Sequence, residues 1–223
     1  MPEALCFDVY GSTHDQGSVA DALGDATGLP DDVAGEMARR WADSQLRYSM
    51  EVTLMDRYET WWELAARALD DVLAYYGVDL DDDERDAVLD TYNHLDPHEG
   101  WEPLRRLREA GHELYILSDG NPEMLETLAG NTGMDEHLDG IISVHEARAF
   151  KPAPEAYRTV LDHVDRELDE CRMVATHLFD LAGAANVGMR TAFVNRHGVP
   201  DRYMGFSPDL TVPTYERLAD ELA

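Results

Sequence analysis

The spacing of apolar positions changes twice along this chain. EALCFDVYG opens with a short apolar run that ends at Asp8 and then Gly11. This predicts a buried strand with a loop at its carboxyl end. From about Gln16 to Asn93 the spacing becomes three and four. SVADALGDATG, DDVAGEMARRWADSQLRYSMEV, DRYETWWELAARALDDVLAYYG and DERDAVLDTYNHL predict successive helices with no strand between them. After Pro97 strands and helices alternate. Residues 101–110 read as helix, HELYILS (112–118) as strand and NPEMLETLAGNTG as helix. GIISV (140–144), CRMVAT and TAFVN read as further strands, with PEAYRTVLDHV and DLAGAANVG as helices between them. Such alternation predicts an α/β fold with a three-layer, Rossmann-like parallel sheet core. The helices that interrupt it after the first strand predict an inserted helical cap. The expected boundaries are 1–13 plus 96–223 for the core and 14–95 for the cap. No internal repeat, low-complexity tract or long linker occurs.

In open parallel sheets a ligand sits outside the carboxyl ends of the strands. That rule selects Asp8, Ser118 and the segment Thr176 to Asp180, and Lys151 lies on the loop after GIISV. Their chemistry is mutually consistent. A carboxylate nucleophile at Asp8 needs a nearby cation to stay ionised, and Lys151 can supply it. Ser118, with backbone amides at the start of the NPEML helix, can hold an anionic group. Asp180 can bind Lys151, orient a water or help ligate a metal. Lys151 stands out for another reason. It is the only Lys among 18 basic residues, so the chain uses Arg wherever a generic cation suffices. An ammonium is a compact point charge that a guanidinium does not replace.

Charge narrows the partners. Acidic residues number 46 and the net charge is −28, spread through the helical stretches. A surface of this kind is tolerated in molar salt, where the Debye length falls to about 3 Å. The composition is similar to that of cytosolic proteins from salt-accumulating archaea. It argues against nucleic acid or anionic membrane as a partner, since both need a basic face. No run of 18 apolar residues occurs, and the N-terminus lacks a signal-peptide pattern, so a soluble, cytoplasmic protein is expected. Cys6 and Cys171 lie in apolar, strand-like segments without metal-site spacing and are expected as buried small hydrophobes.

FDVYGS, YILSDGNPEML, FKPAPEAY and MVATHLFDLAGA resemble, in order, the four motifs of the haloacid dehalogenase superfamily. Tyr10 brings the resemblance closer to its 2-haloacid dehalogenase type II branch. The superfamily's phosphatases carry a second Asp at that position as general acid, which a halide leaving group does not need. The resemblance implies an enzyme that converts (S)-2-haloalkanoic acids to (R)-2-hydroxy acids. Asp8 would attack the halogen-bearing carbon and form an ester that water then hydrolyses. Lys151 would pair with Asp8, and Ser12 and Ser118 would bind the substrate carboxylate or ester oxygens. Tyr157 and Asp180 would hold Lys151 and the water. Tyr10, Leu46, Trp61 and Phe179 would line an apolar pocket. Neither metal nor organic cofactor is implied, and a homodimer is open to the chain.

Three departures accompany the resemblance. Ala42 stands where better-known members have an Arg thought to receive the halide, and Asp119 stands where they have Asn. The fourth motif carries Ala175 and His177 for Ser and Asn, which makes His177 a candidate base for water. Two other readings are compatible with the residues. One is a Mg²⁺-dependent phosphohydrolase of the same superfamily, and the other is a protein that keeps the fold without the chemistry.

Overall fold

A computed structural model describes residues 1–223. The first strand, β1 (Ala4–Phe7), is buried along its whole length, as its continuous apolar run requires. Four helices follow: α1 (Gly17–Thr27), α2 (Asp31–Leu54), α3 (Trp61–Tyr76) and α4 (Asp82–Asp90). Two have reciprocal capping boxes, Thr60 with Glu63 and Asp81 with Glu84. Each box satisfies amide donors that a helix start otherwise leaves open.

The alternating half then runs α5 (Glu102–Glu109), β2 (Glu113–Ser118), α6 (Pro122–Thr132), β3 (Gly140–Ser143), α7 (Pro154–Arg158), β4 (Cys171–Ala175), α8 (Leu178–Asn186), β5 (Arg190–Val194), β6 (Leu210–Val212) and α9 (Tyr215–Leu222). The strands form one six-stranded sheet in the order β3-β2-β1-β4-β5-β6, and all paired neighbours are parallel. β1 is therefore central, between β2 and β4, and its carboxyl end opens onto the crevice where strand order reverses.

Three expectations change. The segment PEAYRTVLDHV is helical only to Arg158, then tightens into a 3₁₀ turn over Thr159–Asp162. The β-branched pair Thr159 and Val160 sits where the winding tightens. The helix of DLAGAANVG begins two residues earlier, at Leu178, with His177 at its cap position. Asp180 thus lies in the first turn and is not the cap residue. A sixth strand of three residues, too short for any periodicity, closes the sheet edge.

Core residues from the inserted helices and from the sheet form one continuous cluster. Aromatic contacts run through it. Tyr10 stacks on Trp61 at 6.4 Å and meets Tyr92 edge-on at 5.6 Å. Trp61 in turn packs on Phe150, the residue before Lys151, at 5.9 Å. The inserted helices are thus packed directly over the strand-end crevice. At the opposite end of the sheet, buried Glu3 takes Arg172 in two bonds, 2.7 and 3.0 Å, and also Arg190. Burial opposes the Glu3 charge, but these guanidinium groups outweigh it and lower its pKa. Cys6 and Cys171 are both buried and free. No helix is long and apolar enough to cross a membrane.

Candidate active site

Asp8 is the first residue past β1, and its amide donates to Val174 O at 3.0 Å, continuing the ladder with β4. The chain then turns sharply, with the Val9 carbonyl accepting from the amides of Ser12, Thr13 and His14. Gly11 makes that turn at φ +74°, and a Cβ there would stand 3.3 Å from the His177 ring. The turn brings Ser12 back beneath the nucleophile. Its hydroxyl donates to Asp8 Oδ2 at 2.6 Å and accepts the Thr176 amide at 3.1 Å.

Lys151 reaches the other carboxylate oxygen. Its side chain is 3 % exposed. The ammonium donates to Asp8 Oδ1 at 3.2 Å, Asp180 Oδ2 at 3.0 Å and the Leu117 carbonyl at 2.7 Å. An ammonium has three donors, so every one is engaged. Asp180 is held from its other side by the Tyr157 hydroxyl, 2.8 Å from Oδ1. That approach depends on Gly183, where a Cβ would lie 2.5 Å from the Tyr157 oxygen.

Charge in this cluster is balanced locally. Burial disfavours an ionised Asp8, but Lys151, His177 and the Ser12 hydroxyl outweigh it and hold the carboxyl well below its usual range. Burial likewise disfavours the Lys151 cation, and Asp180 and Asp8 outweigh it and keep the ammonium charged. His177 Nδ1 lies 3.6 Å from Asp8 Oδ2. Burial lowers the imidazole pKa, but Asp8 outweighs this and lifts it above the ordinary value. With 44 % of the His177 side chain exposed, solvent screens part of that attraction. Burial raises the pKa of Asp180 and pushes Asp119 up to about 7. Asp119 Oδ1 accepts the Lys151 amide at 3.0 Å.

These groups line a cavity of about 210 Å³. Of the residues expected from the sequence, Asp8, Ser118, Asp119, Lys151, His177 and Asp180 form its polar side, and Tyr10, Leu46, Trp61 and Phe179 its apolar side. Ser12, expected at the substrate, and Tyr157, expected to hold Lys151 and the water, do not line it. They stand behind Asp8 and Asp180 and hold these carboxylates in place, and Tyr157 reaches Lys151 only through Asp180. Ala42 is in the wall, and Arg40, two residues earlier on α2, does not line the cavity but lies 3.7 Å over the Tyr75 ring.

Four site residues were given no role by sequence reasoning, among them Gln16, which lines the cavity just ahead of α1. Thr176 links the two loops by donating to Gly11 O at 2.9 Å. Asp43 and Gln45 enter the cavity wall from α2. Gln45 is 1 % exposed and accepts from the Tyr92 hydroxyl at 3.0 Å, leaving Nε2 without a partner. A polar residue on the buried stripe Met37, Trp41, Gln45, Ser49 of an otherwise amphipathic helix was the signal available for it. Tyr10 Oη and Trp61 Nε1 are likewise buried and unpartnered.

Known proteins resemble this chain over most of its length. The (S)-2-haloacid dehalogenase 1 of Pseudomonas sp. (strain CBS-3) is 34 % identical over 207 residues, 92 % of this chain and 89 % of that protein. The (S)-2-haloacid dehalogenase of Xanthobacter autotrophicus is 35 % identical over 198 residues, 88 % and 76 % of the two chains. A solved structure of the L-2-haloacid dehalogenase from Xanthobacter autotrophicus with chloropropionic acid covalently bound aligns with a TM-score of 0.90 at 30 % identity, covering 99 % of this chain and 98 % of that one. Residues 2–188 match the haloacid dehalogenase-like hydrolases, and the chain belongs to that family.

Proposed function

We propose that Asp8 is the nucleophile with which this chain hydrolyses (S)-2-haloalkanoic acids to (R)-2-hydroxy acids. The enzyme is a hydrolase acting on carbon–halogen bonds. The observation that carries Asp8 is its double anchorage, Lys151 on Oδ1 and Ser12 on Oδ2, in a cavity that Tyr10, Leu46, Trp61 and Phe179 also line. In the first step a carboxylate oxygen of Asp8 attacks C2, the carbon–halogen bond breaks and halide leaves with the electron pair. Inversion at C2 follows from in-line displacement. Water then adds to the ester carbonyl, its proton passing to His177, and the hydroxy acid departs as Asp8 is restored. The experiment is direct: the purified protein in high salt releases chloride from (S)-2-chloropropanoate. No halide from any short 2-haloacid contradicts the reading.

We assign the halide to the wall formed by Tyr10, Gln45 and Trp61. With Ala42 in place of an Arg, that wall offers no cation, and three donors on its residues, Tyr10 Oη, Gln45 Nε2 and Trp61 Nε1, have no protein partner. A buried donor without a partner costs about 1–3 kcal/mol, which an anion there would relieve. The phosphohydrolase alternative places its general acid at residue 10. Burial pushes the Tyr10 hydroxyl pKa far up, which leaves it a poor acid at neutral pH. Residues 14–95 are proposed as the cap that closes this cavity.

As the base, His177 must be neutral to accept a proton. Alkylation of Asp8 removes the charge that lifts the imidazole in the free enzyme, and burial then favours the neutral form that the ester step requires. His177→Ala is expected to lower kcat by 10²–10⁴-fold, roughly the worth of general base catalysis, with accumulation of alkylated Asp8 seen by mass spectrometry.

The acidic surface supports a cytoplasmic role in a salt-accumulating cell. The expected outcome is a melting temperature that rises steadily between low and molar KCl, since screening relieves repulsion among 46 acidic residues facing 18 basic ones. A melting temperature independent of KCl contradicts it.

A further inference from the structure

The substrate proposed above is itself a carboxylate, and the cavity is poorly suited to one by charge alone. Asp8, Asp43, Asp119 and Asp180 all line it, and no Arg does. Lys151 cannot greet the substrate, because its three donors already go to Asp8, Asp180 and Leu117. Asp8 and Asp180 are each paired with that ammonium, whereas Asp119 is not. Its carboxyl is buried and has one protein partner, the Lys151 amide on Oδ1. A third ionised carboxylate beside one ammonium, facing a fourth on the substrate, would repel what the site must bind.

We propose that Asp119 works as a carboxylic acid, anchored through Oδ1 and donating the proton on Oδ2 to the carboxylate of the bound 2-haloacid. This rests on the dehalogenase reading and names how that site tolerates an anionic substrate. The direction of its ionisation agrees: burial first, and then the charges of Asp180 and Asp8, raise its pKa to about 7 against the pull of Lys151. The groups facing it come from every neighbouring element. Asp8 follows β1, Lys151 precedes α7, Asp180 is on α8, and Tyr157 is on α7 behind it. Tyr58, from the loop before α3, also senses its charge, with Arg148 lying 4.9 Å over the Tyr58 ring. His177 and Asp43 share the cavity. An acid in this setting holds its proton more firmly once a second carboxylate accepts the hydrogen bond.

The test compares pH profiles of kcat/KM for wild type and Asp119→Asn, which keeps an acceptor for the Lys151 amide and a donor for the substrate. Ester formation is the first irreversible step, so kcat/KM reports substrate capture and alkylation. Wild type is expected to lose kcat/KM tenfold per pH unit above the Asp119 ionisation, through KM more than kcat. Asp119→Asn is expected to lack that limb. Calorimetric titration with propanoate at pH 8, in two buffers of different ionisation heat, should show proton uptake by wild type and none by Asp119→Asn. A limb that persists in Asp119→Asn and vanishes in His177→Asn assigns it to the imidazole and overturns the proposal. So does propanoate binding without proton uptake, or no propanoate binding at pH 6. If wild type releases no halide at any pH, the dehalogenase reading fails, and the propanoate titration still decides the state of Asp119.

Discussion

Asp8→Ala is expected to abolish halide release from (S)-2-chloropropanoate, by on the order of 10⁴–10⁶-fold, the scale on which loss of a covalent nucleophile is felt. Neither carboxylate beside Lys151 is free to take over. Asp119 is largely neutral below about pH 7, and Asp180 already receives Lys151 and Tyr157. Asp8→Asn retains the size of the side chain and tests the charge alone. It should bind substrate analogues and still form no ester, because an amide is a far weaker nucleophile than a carboxylate. Folding should survive in both variants, since the Asp8 amide and not its side chain continues the β1–β4 ladder.

Lys151→Met is expected to remove activity as completely and to destabilise the protein as well. The substitution leaves Asp8 and Asp180 facing each other without a cation, in a site where the Lys side chain was 3 % exposed. Removing one partner of a buried ion pair costs about 3–5 kcal/mol, measurable by urea unfolding at pH 7. The sign of its pH dependence is diagnostic. In wild type the folded Asp8 pKa is depressed, so its contribution is present above the unfolded carboxylate value, about 3.9, and is lost as pH falls through the folded one. Without the ammonium, burial and mutual repulsion raise both carboxyl pKa values. Lys151→Met should then gain stability as pH falls toward about 4, the opposite trend at these groups. Lys151→Arg should fail to restore activity. A planar guanidinium on a longer stem cannot direct three donors at three converging oxygens from the same position.

Much of this was legible because the chain is locally consistent. The shift from strand period to helix period and back located α1–α4 and the sheet, and strand ends pointed to Asp8, Ser118 and Lys151. The lone Lys carried unusual information for a single residue: an Arg-using chain retains an ammonium where three oxygens converge. Contacts that depend on tertiary geometry were not legible. Nothing in the sequence distinguishes Ser12 as a support behind Asp8 from a residue touching substrate, because the sharp turn at Gly11 decides it. Tyr157 depends in the same way on the space left by Gly183. Gln45 was hidden by its helix, whose buried stripe normally calls for an apolar residue. The sixth strand is three residues long and offers no period to read.

The most direct test follows oxygen. Enzyme in excess over (S)-2-chloropropanoate is allowed one turnover in water enriched in heavy oxygen. If Asp8 forms the ester and water attacks its carbonyl, the hydroxy acid carries ordinary oxygen and the peptide containing Asp8 gains the heavy isotope. Heavy oxygen in the product, with none in that peptide, would mean that water attacks the substrate directly and would contradict the account.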